Sequence, residues 1–241
     1  MIGTGTLINI VAVVVGSFIG LAMKGGIRKK LQDTMMQALG MSTIFIGGAG
    51  ALKGMLLIGE NGLETQGSLM LILSLVIGSF FGEWIDIELR LENAGEWLKK
   101  KINAQGESRF VEGFVSSSLI ICVGAMAVVG AIQDGLTGDA SMLIAKSLLD
   151  FVLVIVLAST MGIGVLFSAV TVGIYQGGIT LCASLIEPWL TETMISNMSF
   201  VGSVLIFGVG VNVSIGKKFK VGNMLPAILI PVIWELLGKF F

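Results

Sequence analysis

A long apolar stretch, residues 122–184, contains polar and ionisable side chains that lipid normally excludes and that could do chemistry. They are Gln133, Asp134, Lys146, Asp150 and Gln176. An ionisable side chain at bilayer depth is unfavourable by roughly 2.5 kcal/mol or more, so it usually faces a protein interior or a water-filled path. We therefore take these residues as the candidate site for a bound solute.

Lys146 and Asp150 are the most informative of these residues because they are four positions apart. This spacing puts both side chains on one face of a helix, where they can pair and so hold two charges in an apolar setting. Asn9 and Asn212 add amide groups to two other apolar segments. The set suits binding of a small polar solute or ion, but a pair that only fixes helix packing would have the same sequence.

The composition argues against most other chemistry. The chain has no histidine, and its two cysteines, Cys122 and Cys182, are isolated in apolar segments. We therefore expect no cofactor, no metal site and no enzymatic activity. An aspartic protease built on Asp134 and Asp150 is disfavoured, because neither Lys146 nor the outer position of Asp134 favours two carboxyls sharing a proton. The net charge of −1 argues against nucleic acid as a partner.

The elements that position these residues are predicted to be membrane-spanning helices. The 241 residues are 54% hydrophobic and only 13% charged, whereas a soluble domain is about 25% charged. An inserted helix needs about 20 apolar residues. Eight such runs occur, numbered here as spans 1 to 8, at about 4–23, 35–58, 67–84, 113–132, 142–160, 163–186, 195–214 and 222–239. The prediction is an all-α polytopic membrane helix bundle that forms one transmembrane domain over residues 1–241.

The basic residues predict how this bundle is oriented, because short loops rich in Lys and Arg stay in the cytoplasm. Twelve of the fifteen Lys and Arg fall in the connections that follow spans 1, 3 and 7. Both termini are therefore predicted outside. The connection between spans 5 and 6, residues 159–164, carries no charge, so these two spans are alternatively a re-entrant hairpin whose tip stops within the membrane.

Glycine and proline predict where spans are interrupted. The triplet Gln176-Gly177-Gly178 is a candidate break in span 6 that would expose backbone carbonyls, as discontinuous helices do at transport sites. Pro226 and Pro231 each remove a backbone donor, which predicts a kink or break in span 8.

An internal repeat pairs spans 1 and 2 with spans 3 and 4, in units of about 1–60 and 66–136. The motif GSFIG at 16–20 ends span 1 and GSFFG at 78–82 ends span 3, while IFIG at 44–47 resembles IICVG at 120–124. Repeats of this kind recur in transporter folds. Small residues four positions apart also predict close packing between helices.

The connection between spans 3 and 4 is predicted to form one cytoplasmic, interfacial amphipathic helix over 83–104. Its apolar residues recur at helical spacing through Trp84, Leu91 and Ala94, while Glu88 and Glu96 take other faces. A surface helix that only connects two spans is the simpler interpretation. A gate or a partner-docking element is the alternative.

Several motifs in combination resemble a known family over nearly the whole chain. They are Gly3-Thr4-Gly5-Thr6-Leu7-Ile8-Asn9 with Gly16 and Gly20, Val123-Gly124-Ala125-Met126 through Gln133-Asp134-Gly135, Lys146-Ser147-Leu148-Leu149-Asp150, Tyr175-Gln176-Gly177 and Gly222-Asn223-Met224-Leu225-Pro226. The chain resembles the YqgA/YdfK-type family of bacterial integral membrane proteins, a domain of unknown function commonly labelled as transport proteins. The resemblance implies a multi-span fold in the bacterial inner membrane, and it supplies no binding residues.

Two functions fit these observations. The first is a small-solute membrane transporter or channel-like protein, in which spans 4, 5 and 6 form a polar cavity for an unidentified small solute or ion. If transport is coupled to protons, Asp150 or Asp134 is the titrating group. The second is a non-transporting structural or regulatory membrane protein whose buried polar residues only fix helix packing. Either would be a multi-pass protein of the bacterial cytoplasmic (inner) membrane, in contact with the lipid bilayer and compatible with a homo-oligomer.

Overall fold

The structure, a computed structural model, describes residues 1–24, 28–59, 62–122, 125–186, 191–216 and 218–238. Its regular structure in these ranges is helical apart from one hairpin. The helices are α1 Thr4–Lys24, α2 Lys29–Met55, α3 Ser68–Ile85, α4 Ile87–Lys101, α5 Phe110–Cys122, α6 Ala125–Thr137, α7 Ser141–Met161, α8 Ser168–Leu181, α9 Ala183–Ile186, α10 Glu192–Ile215, α11 Val221–Met224 and α12 Ile230–Gly238. Two 3-10 helices, Ile163–Phe167 and Leu225–Leu229, precede α8 and α12.

Six helices within these ranges are long and apolar enough to cross a membrane. They are α1, the part Asp33–Met55 of α2, α3, α7, the continuous unit Ile163–Leu181 that contains α8, and α10. The predicted all-α, polytopic membrane fold is therefore confirmed at this level. The segments Phe110–Cys122 and Met126–Thr137 pass the same test only as a pair, and their axes differ by 63°. The last apolar segment, Val221–Glu235, is shorter than a typical span.

The prediction that span 2 stays helical to residue 58 is wrong. Its end forms a hairpin of β1, Leu56–Gly59, and β2, Gly62–Thr65, paired antiparallel with Leu56 opposite Thr65. The missed signal is the sequence GENG at 59–62 between two apolar segments, since glycine and asparagine favour turns. Parts of several predictions lie outside the described residues, namely residues 25–27, 60–61, 123–124, 187–190, 217 and 239–241.

Glycines bring the helices close together in pairs. Between α1 and α7, Gly5 faces Leu143, Gly16 faces Val154 and Gly20 faces Ala158. Between α2 and α10, Gly40 faces Ser214 and Gly54 faces Phe200. Between α3 and the last segment, Gly78 faces Ala227 and Gly82 faces Asn223. The order of these contacts shows that α1 and α7 run parallel, whereas the other two pairs run antiparallel. Both copies of the predicted glycine motif thus serve close helix approach.

The predicted interruptions have mixed outcomes. The break at Gln176-Gly177-Gly178 is wrong, because α8 continues without interruption from Ser168 to Leu181. The irregular span 8 is confirmed, since α11 passes into the 3-10 helix Leu225–Leu229 at Pro226, where proline cannot donate a backbone hydrogen bond.

Helix α4 begins later and faces differently than predicted. Asp86, with φ of 54°, ends α3 and accepts a hydrogen bond from the backbone N–H of Leu89, so Trp84 belongs to α3. Glu88 and Gly95 are buried, whereas Ala94 is exposed. The reason is that α4 packs on the bundle: Gly95 faces Phe114 of α5. The packed stripe is therefore rotated from the stripe of apolar residues.

Candidate functional site

Residues from four helices form the candidate site, which we call the buried polar cluster. Its members are Thr6 and Asn9 on α1, Asp134 on α6, Lys146 and Asp150 on α7, and Gln176 and Thr180 on α8. All seven side chains are buried. The close approach of α1 to α7 at Gly5 and Gly16 brings Asn9 to the level of the charged pair.

The charged pair is the centre of the cluster. The Nζ atom of Lys146 donates to Oδ2 of Asp150, one helical turn away on α7. The two residues are only 7% and 8% exposed, so the predicted pairing in a buried setting is confirmed. Because water does not screen either charge there, the loss of one partner would leave the other uncompensated.

A chain of hydrogen bonds connects α1 to α8 beside this pair. Nδ2 of Asn9 donates to Oε1 of Gln176 at 3.0 Å, and Nε2 of Gln176 donates to Oγ1 of Thr6 at 3.1 Å. Oγ1 of Thr6 lies 3.1 Å from Oγ1 of Thr180, which in turn donates to the backbone O of Gln176 at 3.0 Å. Asn9 is also close enough to Asp150 to affect it electrostatically, so the amide chain lies beside the ion pair.

Asp134 meets the first turn of α1. It is completely buried, and its Oδ2 atom accepts a hydrogen bond from the backbone N–H of Gly5 at 3.0 Å. The first N–H groups of a helix lack partners within the helix and carry a partial positive charge. A carboxylate from α6 therefore caps α1 from outside.

Two buried acceptors of the cluster have no hydrogen-bond partner among the described residues. They are Oδ1 of Asn9 and Oδ1 of Asp134. Buried polar atoms are almost always paired, so each exception requires an explanation.

Gln133 and Asn212 lie outside the buried polar cluster. Gln133 is exposed although Asp134 beside it is buried, because consecutive residues of a helix point about 100° apart. The Oδ1 atom of Asn212 accepts from the backbone N–H groups of Lys218 and Phe219 at 2.8 and 2.9 Å, and its amide donates to Phe219 O at 2.7 Å. Asn212 therefore holds the turn that follows α10, and its predicted contribution to a shared cavity is not seen here.

Helix α1 contributes more to the cluster than the sequence predicts. The sequence predicts only Asn9 on this helix, whereas the structure shows that Thr6 also takes part in the hydrogen-bond chain. The available signal was the spacing of three between Thr6 and Asn9, which places both on one side of a helix.

A second group of polar residues lies at the other end of the bundle, and we call it the basal polar cluster. Its members are Glu83, Glu88, Lys220 and Asn223. Beside it is a cavity of about 190 Å³ lined by Glu88, Glu92, Glu112, Ser116 and Asn212, among others. Asn212 thus lies with this second group rather than with the charged pair on α7.

Comparison with known proteins identifies the family. The family described as "Protein of unknown function (DUF554)" matches residues 4–236. The chain is 33% identical over 227 residues to "Uncharacterized membrane protein YdfK" of Bacillus subtilis (strain 168), covering 94% of this chain and 93% of that protein. It is 29% identical over 233 residues to "Uncharacterized protein YqgA" of Escherichia coli (strain K12), with the same coverage of 94% and 93%. No solved structure matches. The chain therefore belongs to the DUF554 family, and the resemblance to the YqgA/YdfK type is confirmed.

Proposed function

We propose that this membrane protein is a small-solute transporter or channel-like protein that binds its solute at the buried polar cluster. The observation that carries the proposal is the ion pair of Lys146 and Asp150, which is buried on a membrane helix and lies beside an amide and hydroxyl chain that begins at Asn9. Helix packing needs no charge at this depth, and residues of this kind in membrane segments commonly mark a solute or ion path.

The helices around the cluster support an opening motion. The axes of Phe110–Cys122 and Met126–Thr137 differ by 63°, and Asp134 lies on the second of these segments. On the other side, the 3-10 helix Ile163–Phe167 joins α7 to α8. Discontinuous helices commonly form the binding sites of transporters, around which one group of helices moves against another.

We also propose that the chain crosses the bacterial inner membrane eight times with both termini outside. The parallel pair α1 and α7 and the antiparallel pairs described above support this topology. Gly162, between α7 and the next 3-10 helix, faces the ion pair of Lys24 and Glu107, which supports full spans rather than a re-entrant hairpin. The paired-span repeat and an interfacial role for α4 belong to the same proposal.

Proteoliposomes test the transport proposal. Flux would be measured with an entrapped pH dye for protons, with labelled Na⁺ and Rb⁺, and by light scattering for small uncharged and zwitterionic solutes. We expect the wild type to exceed protein-free vesicles for at least one probe. Lys146→Met, Asp150→Asn and Gln176→Ala should lose that flux, whereas Glu96→Gln on α4 should retain it. Wild-type flux in all three cluster variants would overturn the proposal, as would a wild type equal to empty vesicles for every probe.

The second candidate function is a structural or regulatory membrane protein without transport activity. It is favoured by the hydrogen bonds within the cluster, since Asn9, Gln176, Thr6 and Thr180 bond to one another at 3.0 to 3.1 Å. Under this alternative, the double variant Lys146→Met/Asp150→Asn changes thermal stability in detergent and leaves every flux unchanged. The same proteoliposome measurements therefore separate the two functions.

A further inference from the structure

We propose that Asp134 and Asn9 bind a small monovalent cation beside the first turns of α1. This inference rests on the proposed function and deepens it, because it names the class of ion that the buried polar cluster takes. It is carried by two independent features of the cluster: its charge and its surplus of hydrogen-bond acceptors.

The buried charges do not balance. Lys146 and Asp150 pair with each other, which leaves the carboxylate of Asp134 as an additional negative charge. Among the described residues, no Lys or Arg side chain forms an ion pair with Asp134. Its hydrogen-bond partner is the N–H group of Gly5, and the partial charge of a helix N-terminus is only about half an elementary charge. An unpaired charge that is completely buried is strongly unfavourable, so a cation bound beside this carboxylate would be stabilising.

The hydrogen bonds of the cluster also favour a cation, because the cluster has more acceptors than donors. Thr180 donates its hydroxyl proton to the backbone O of Gln176, so Thr6 must be the donor in the bond between the two hydroxyls. Both hydroxyl protons are then used, and each oxygen keeps lone pairs only. The two unpartnered atoms of the cluster, Oδ1 of Asn9 and Oδ1 of Asp134, are also acceptors. These oxygens are therefore suited to a cation or a hydrogen-bond donor, and not to a further hydrogen-bond acceptor.

The two unpartnered oxygens both lie beside the first turns of α1. Asp134 binds Gly5, and Asn9 is four residues further along the same helix. Side chains of a helix tilt towards its N-terminus, so the amide of Asn9 covers the turn that begins at Gly5. Thr6 and Thr180 add their hydroxyl oxygens at this level, because Gly135 next to Asp134 faces the backbone of Thr180.

This set of oxygens suits a hard cation of single charge. Carboxylate, amide and hydroxyl oxygens are hard ligands, and one carboxylate matches one positive charge. A divalent or transition-metal site would need more anionic ligands, and among the described residues no three His, Cys, Asp or Glu side chains converge to hold a metal ion. The inference is therefore restricted to monovalent ions such as Na⁺, Li⁺ or K⁺.

Thermal unfolding in detergent tests this inference without any transport assay. The Tm of the full chain would be measured at fixed pH and ionic strength in NaCl, LiCl, KCl and choline chloride. We expect one metal ion to raise Tm over choline by about 3 °C or more, as roughly a tenfold excess over Kd predicts for a chain of this size. In Asp134→Asn that rise should disappear, and its Tm in choline should equal or exceed the wild type because the unpaired charge is gone.

Asn9→Ala and Asp139→Asn complete the experiment. Asn9→Ala should keep a rise but need at least several-fold more salt for half of it, whereas Asp139→Asn, an exposed carboxylate on the same side, should respond like the wild type. Equal Tm in all four salts would overturn the inference, as would a Tm that follows pH with no dependence on the metal ion, which is the signature of a proton on Asp134. Either result leaves the flux measurements unaffected, so failure here is distinct from failure of the proposed function.

Discussion

Two buried asparagines, Asn9 and Asn223, differ in how completely they are bonded. Oδ1 of Asn223 accepts from the backbone N–H of Glu88 at 2.6 Å, and its amide donates to Glu83 at 2.7 Å and to Asp86 at 3.4 Å. Asn9 donates to Gln176 at 3.0 Å, but its Oδ1 atom has no partner among the described residues.

The difference separates a structural polar cluster from a candidate binding cluster. In the basal polar cluster, Lys220 pairs with Glu83, and Gly222 donates to Glu88, so its polar groups hold the last segment against α3 and α4. In the buried polar cluster, an ion pair and an additional carboxylate lie on membrane helices, and two hydrogen-bond acceptors have no partner among the described residues. A fully bonded polar group stabilises one arrangement of helices, whereas an incompletely bonded one is suited to a ligand.

The largest effect is expected from Lys146→Met. This change leaves Asp150 buried without its cation, and breaking one side of a buried pair typically destabilises a protein by about 3–5 kcal/mol. Unfolding monitored in detergent by circular dichroism measures it. The double variant Lys146→Met/Asp150→Asn is the control and should regain most of this loss. A Lys146→Met protein as stable as the wild type would show that Asp150 is not charged in the fold.

Asn223→Ala should destabilise the basal polar cluster by about 2–4 kcal/mol, because hydrogen bonds to charged groups contribute about 1.5–3 kcal/mol and the N–H of Glu88 loses its acceptor. The same unfolding measurement applies. Transport or ion-dependent Tm shifts should remain, since no residue of this cluster touches the charged pair. If Asn223→Ala abolished flux while folding normally, the contrast between the two clusters would be wrong.

Gly20→Val tests the packing that positions the buried polar cluster. A side chain at Gly20 would collide with Ala158 and the backbone of Ile155 on α7, and overpacking of this kind costs about 1–3 kcal/mol. Gly106→Val is the matched control, because no atom lies near that glycine. Equal Tm values for the two variants would contradict close packing of α1 on α7.

Asp139→Ala should have the smallest effect. Hydrogen bonds from Ser141 lower the pKa of the Asp139 carboxyl below its usual value. Because the folded-state pKa is the lower one, the stabilisation is present above the ordinary pKa and is lost as pH falls through the folded-state value. The difference in Tm between variant and wild type should therefore shrink from pH 7 towards pH 3. A difference that grows on acidification would contradict this sign.

The sequence was sufficient where the relevant neighbours are close along the chain. Lys146 and Asp150 are four residues apart, so helical geometry alone predicted their pair. The irregular span 8 followed from Pro226 in the same way. Composition and the lengths of apolar runs predicted the membrane fold for a similar reason, since bilayer thickness fixes the number of residues per span.

Contacts between distant segments were not predictable from one sequence. Asn9 and Gln176 are 167 residues apart, and only the packing of α1 against α8 brings them together. Gln133 and Asp134 are adjacent, yet the rotation of α6 buries one and exposes the other. The sequence predicts a helix break at the glycines of α8, but α8 is continuous through Gly177 and Gly178, because a helix held by its neighbours tolerates the weak helix propensity of glycine.

The central claim, that solute reaches the buried polar cluster, is tested most directly by the reactivity of a thiol placed in it. In a background of Cys122→Ser and Cys182→Ser, Gln176→Cys would be compared with Ile174→Cys. Ile174 is 74% exposed on the surface of the bundle, where we expect it to face lipid. Both would be treated in liposomes with a membrane-impermeant, cationic thiosulfonate. The account predicts that Gln176→Cys reacts and Ile174→Cys does not. Protection of both thiols would contradict it, because the cluster would then be closed to water and would only hold helices together.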